Sequence, residues 1–188
     1  MANVIQFRMN QGWAGDITRT HPSPVLPKQA DPTNPPTLPG QGVIFDATSG
    51  KVRKIITTDS TSGQASGTYP YTGVTGSISL DGVTVREFPI QQQTTSANFG
   101  AVAMGNQSLP SSFPLGIITS GSIIVTLPTS ATPLPGGPVY IWNNTTSGSH
   151  VQGSFESAYS IGNTVLVANA KWLSGVDANG NAELAFNL

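Results

Sequence analysis

Short apolar, β-branched runs separated by Gly, Pro, Asn and Ser clusters recur along this chain. No window keeps the i, i+3, i+4, i+7 spacing of an amphipathic helix, so the pattern predicts strands. "GVIFD" (42–46) and "KVRKIIT" (51–57) form one candidate hairpin through the turn-like "ATSG". Further strands are predicted at "AVAM" (101–104), "GSIIVTL" (121–127), "PVYIW" (138–142), "TVLVA" (164–168) and "AELAFNL" (182–188). The sharpest unit is "SISLDGVTVREF" (77–88), with Asp81 and Gly82 as a two-residue hairpin turn. Pairing Leu80 with Val83 and Ile78 with Val85 puts four apolar side chains on one face, with Ser79 and Thr84 on the other. In the last run Ala182, Leu184, Phe186 and Leu188 alternate with Glu183, Ala185 and Asn187, as in a half-buried strand. Some eight to ten short strands with Gly/Pro-rich turns predict an all-β fold, a jelly-roll-like sandwich or barrel. "TTDSTSGQASGTYPYTG" (57–73) reads as a long exposed loop.

The first forty residues break the pattern. Phe7, Met9, Trp13 and Ile17 are apolar but too sparse for a core element. After them, seven of the chain's fifteen prolines fall between His21 and Gly40. Proline fixes φ and restricts the residue before it, so the run favours extended or polyproline II chain over a strand or helix. At about 3.1 Å per residue, the stretch from Thr20 to Pro39 could span roughly 60 Å. The organisation expected is an extended Pro-rich N-terminal arm (1–40) and a β-sandwich or barrel domain (41–188), large enough for a hydrophobic core.

Composition narrows the functional classes. Only 9% of the 188 residues are charged and the net charge is −1, so bulk electrostatics suggest neither a nucleic-acid nor a membrane partner. Low charge lets many copies pack closely. There is no cysteine, so disulfides and thiolate chemistry are excluded. The start, "MANVIQFRMN", lacks the pattern of a signal peptide, and no apolar stretch approaches a membrane span.

Catalytic chemistry finds little to work with. His21 and His150 both sit in loop-like sequence and read as solvated loop histidines. No nucleophile elbow, phosphate-binding loop, zinc-protease or dinucleotide motif occurs, so no enzyme, cofactor or metal is expected. "DANGNAE" (177–183) alternates Asp177, Asn179, Asn181 and Glu183 like calcium-loop oxygens, but its Gly and Glu stand at the wrong positions. It reads as an Asn-Gly turn before the last strand. Trp142 and Trp172 lie in apolar strands and read as core or rim. Trp13, between Gly12 and Gly15 with few apolar neighbours, reads as an anchor for a partner's pocket rather than a fold-back onto its own domain.

Both ends of the chain resemble a known family. "FRMNQGWAGDITR" (7–19) is similar to the opening of tailed-bacteriophage structural cement proteins, also called head decoration proteins. "VANAKWLSGVDANGNAELAFNL" (167–188) is similar to their ending, "GQGVIFDATSGKVRKI" (40–55) resembles their early hairpin, and "PLPGGPVYIW" (133–142) resembles a later strand. The resemblance implies a non-enzymatic β-rich protein on the outer surface of the phage head, made in the host cytoplasm. It implies bridging of major capsid protein subunits and reinforcement of the mature shell. The proline run and the 57–73 loop depart from the common pattern.

The partners expected are the major capsid protein and neighbouring cement subunits, with a homodimer favoured over a trimer. The partner-facing residues expected in the arm are Phe7, Arg8, Met9, Trp13, Asp16, Ile17, Arg19, Pro22 and Pro24. The alternative is a glycan-binding module of a tail fibre or spike, for which open aromatics around Trp142 would be the sign.

Overall fold

The computed structural model describes residues 12–18, 24–46, 49–60, 77–86 and 114–187. The expectations for "AVAM", for Leu188 and for the body of the 57–73 loop lie outside these residues. The described chain is all β apart from one short 3-10 turn, Thr57–Ser60. It has twelve strands in three sheets arranged as a sandwich.

The first sheet has the order β1-β6-β5-β2-β3, with β1 Val25–Gln29, β2 Gly42–Asp46, β3 Lys51–Lys54, β5 Gly82–Thr84 and β6 Pro114–Ile118. Its two edges approach each other, because Ala30 bridges Val52 and the Asp31 amide donates to the Val52 carbonyl at 2.8 Å. The curl encloses a small core of Ala30, Val43, Val52, Leu115 and Ile117. The second sheet runs β4-β10-β8-β9, with β4 Ser77–Ile78, β8 Val139–Trp142, β9 Phe155–Glu156 and β10 Thr164–Val167. The third runs β11-β12-β7, with β7 Gly121–Thr126, β11 Ala170–Trp172 and β12 Asn181–Phe186. All three sheets contribute to the large core, including Val83, Ile118, Ile123, Ile141, Phe155, Trp172 and Leu184. Each such fully buried side chain contributes roughly 1.5–3 kcal/mol.

The hairpin expected at Asp81 and Gly82 does not form. β4 pairs in parallel with β10, while β5 pairs with β2 and β6 in a different sheet. A two-residue type I′ turn needs positive φ at both central residues, and neither Asp81 nor Gly82 has it. Asp81 instead fixes a corner between sheets: its amide donates to the Val43 carbonyl and its carboxylate accepts from the Phe45 amide. Gly82 serves close approach, since a Cβ there would lie 2.3 Å from Ile117. The alternation had correctly marked Ile78, Leu80, Val83 and Val85 as one apolar set, and all four are in the large core.

The proline run holds a strand that its composition does not predict. β1 pairs antiparallel with β6, matching Pro27 with Gly116. The Thr119 amide donates to the Pro24 carbonyl, which puts the hydrogen-bonded pairs at residues 24, 26 and 28. The Pro27 nitrogen therefore points away from β6, at the sheet edge where the missing N–H costs nothing. Beyond β1 the chain stays on the body. The Lys54 amide donates to the Asn34 carbonyl, and buried Gln41 accepts from the Thr37 and Leu38 amides at 2.7 and 3.0 Å.

Candidate partner interface

Residues 12–18 extend the third sheet. Ile17 bridges Ile123 of β7, the Gly15 amide donates to the Ile124 carbonyl at 2.8 Å, and the Ile124 amide donates to Asp16 at 2.9 Å. Gly15 and Asp16 thus face a single residue, a bulge that re-aims the strand. The Asp16 amide donates back to the Trp13 carbonyl, closing a turn with Gly15 at φ +87°. That position wants glycine, and a Cβ would also lie 2.5 Å from the Arg86 nitrogen. The Asp16 carboxylate accepts from the Trp13 amide at 2.8 Å, so its charge locks the turn.

The same segment reaches the first sheet. The Arg86 amide, just past β5, donates to the Gly15 carbonyl at 3.0 Å. On the other side, Asn181 Nδ2 donates to the Gly12 carbonyl at 2.9 Å, and the Thr18 hydroxyl donates to Glu183. Residues 12–18 are therefore a staple between two sheets. The backbone folds back onto its own body, contrary to the expectation for Trp13. The side chains remain available: Trp13 is 47% exposed and Ile17 40%. The Arg86 guanidinium stands 5.5 Å from the centre of the Trp13 ring, a cation–π contact that sets the ring's orientation.

Beside Ile17 lies an open groove of about 650 Å³, lined by Asp16, Thr18, Val25, Val85, Arg86 and Ile124 among others. Val25 and Leu26 on β1 are also exposed. Of the sequence candidates, the structure brings Asp16 and Ile17 together at this groove, with Trp13 adjoining through Arg86. Pro24 opens β1, where its carbonyl accepts from Thr119. Phe7, Arg8, Met9, Arg19 and Pro22 lie outside the described residues. Sequence reasoning missed Arg86, which it had assigned to a hairpin, and Val25 and Leu26, which it had not singled out within the proline-rich run.

The other candidate places have structural employment. Asp177 accepts from the Asn179 and Asn181 amides at 2.8 and 2.9 Å, capping the turn before β12, and Gly180 has φ +81° there. Among the described residues, no three His, Asp or Glu side chains are grouped to hold a metal. Trp142 is only 8% exposed, its ring is covered by His150, and its Nε1 donates to the Thr145 carbonyl. It presents no open face for a sugar, so the place where a glycan platform was sought does not supply one.

The family model of the XM1 gp53 minor capsid protein matches residues 1–186. The chain belongs to that family. It is thereby a member of a phage capsid-associated family, in line with the motifs at its two ends. A solved chain from the capsid of Myoviridae phage XM1 has a similar fold, with a TM-score of 0.62 at 17% identity. The match covers 100% of this chain and 97% of that one. No curated protein matches.

Proposed function

We propose that this chain is a capsid cement protein on the outer surface of a phage head, where it bridges major capsid protein subunits and reinforces the mature shell. The role is structural and non-enzymatic. The observation that carries the reading is the staple: it is clamped by main-chain bonds to two sheets, yet it presents Trp13 and Ile17 to the outside. A large aromatic on a rigid base is what a binding hot spot requires, because little side-chain entropy remains to be lost on docking. Asp16 sets the turn that aims Trp13, and Arg86 holds its ring. Phe7, Arg8, Met9, Arg19 and Pro22 belong to the same contact by sequence adjacency, and Pro24 continues it onto β1. Neighbouring copies meet in the lattice, most simply as a homodimer.

The test uses heads assembled without this protein and then incubated with purified chain. Binding to the outer face at about one copy per major capsid subunit, with greater resistance of filled heads to heat or chelation, supports the proposal. Binding only to unassembled major capsid protein, or only to the head interior, rejects it.

A further inference from the structure

Two apolar features lie at opposite edges of the third sheet. At one edge the staple runs beside β7. At the other, the turn 134–137 runs beside β11: the Gly136 amide donates to the Trp172 carbonyl at 2.7 Å, and the Trp172 amide donates to the Gly137 carbonyl at 3.4 Å. The order across the sheet is therefore turn, β11, β12, β7, staple. The turn is built to hold a side chain out. The Gly137 amide donates to the Leu134 carbonyl at 2.8 Å, and Gly136 has φ +79°. Proline at the second position, here Pro135, and a positive-φ glycine at the third are what a type II turn takes. Pro133 is buried, and the main chain is tied to fully buried Trp172. Prolines on both sides fix φ, so the main chain has little freedom to lower Leu134 onto the body. That side chain is 72% exposed.

The staple edge carries the complement. The groove beside Ile17 has buried Val85 and Ile124 at its floor and half-exposed Ile17 and Val25 at its sides. The Thr18 amide and the Asp16 carbonyl both bond toward β7, on either side of the Ile17–Ile123 bridge. The Ile17 N–H and C=O therefore point away from β7. Neither has a hydrogen-bond partner among the described residues. An incoming turn built on Pro135 brings carbonyls but no N–H at that residue, which suits a groove whose main chain offers the Ile17 N–H as donor.

We propose that Leu134 of one copy seats in the groove of the next, a head-to-tail contact between copies of this chain. The inference rests on the reading that neighbouring copies adjoin, and it names the surfaces through which they do. The occupant is a second copy because the apolar projection and the apolar groove belong to one chain and stand at opposite edges of one sheet. An apolar side chain on a pinned turn loses little conformational freedom when it enters a pocket. A net charge of −1 leaves little repulsion between copies. A contact between two different patches is heterologous, so it continues from copy to copy or closes as a ring. It links homodimers rather than forming them.

The chain has no cysteine, so Val25→Cys/Leu134→Cys in the full chain is a clean probe. Concentrated in solution without heads and treated with a mild oxidant, it should give a ladder of linked chains extending beyond two on a denaturing gel. Val25→Cys/Ile161→Cys places the second thiol at an equally open site, 83% exposed, on a turn outside the third sheet. It should link at least about tenfold less. In sedimentation, Leu134→Ser and Val25→Asp should each weaken association at least about tenfold, and an equimolar mixture of the two should restore one contact per pair. No linkage, a ladder that stops at two, linkage as strong through position 161, or a mixture that restores nothing overturns the contact. If Val25→Asp lowers the occupancy of heads while no such link forms, the groove holds major capsid protein instead, and this inference fails while the cement reading stands.

Discussion

Two stretches of the N-terminal chain meet the body in opposite ways. Residues 12–18 are bonded on both sides, to β7 through Gly15, Asp16 and Thr18 and to the end of β5 through Arg86. β1 is bonded to β6 along one side, and its other side carries Pro27 where a further strand would need an N–H donor. The first has its main chain satisfied and offers side chains. The second contributes Ala30 to the small core and has an edge blunted against strand addition. Composition alone makes the proline-rich stretch the more plausible arm. The bonding makes the stretch without prolines the rigid presenter.

The comparison can be broken at four points, in falling order of effect. Ile124→Ala removes a buried side chain whose Cδ1 would lie 2.8 Å from a Cβ added at Gly12, and should cost about 2–4 kcal/mol in denaturant unfolding. A loss under about 1 kcal/mol would mean that the staple packs only loosely. Gly15→Ala puts a Cβ into positive φ and against the Arg86 nitrogen, and should cost roughly 1–3 kcal/mol. If it is neutral, the turn is not held as described. Asn181→Ala removes the donor to Gly12 and should cost about 1 kcal/mol. Its signature is faster exchange at the Gly15 and Thr18 amides with the β1 amides unchanged, and equal loosening of both stretches would erase the distinction. Pro27→Ala should change stability by less than about 1 kcal/mol, because no intramolecular hydrogen bond is gained. It restores an outward N–H, so sedimentation should show more self-association than the unaltered chain, and an unchanged sedimentation profile would show that the proline does not guard this edge.

The sequence made the strands legible wherever alternation or a β-branched run was local. β2, β7, β8, β10 and β12 stand where the pattern put them. What it could not convey was pairing. Ile78, Leu80, Val83 and Val85 satisfy one core from two sheets as well as from one hairpin, and the difference rests on φ at Asp81 and Gly82 and on the closeness of Ile117. β6 and β1 were missed because "PLGII" and "VLPKQ" carry Pro or Gly inside short runs, and tertiary pairing overrode those local signals. At the candidate interface, Trp13 stood out as a lone aromatic between glycines. Arg86 could not be connected to it, since 73 positions separate them and only the fold brings guanidinium and ring together.

The most direct measurement is the occupancy of protein-free heads by Trp13→Ala/Ile17→Ser against the unaltered chain. Both side chains are about half exposed, so the variant should keep its fold and its Tm within a few degrees. A hot-spot aromatic contributes about 2 kcal/mol or more, so occupancy should fall at least about tenfold at limiting concentration. A folded variant that decorates heads as fully and as tightly as the unaltered chain would contradict the staple as the gripping surface.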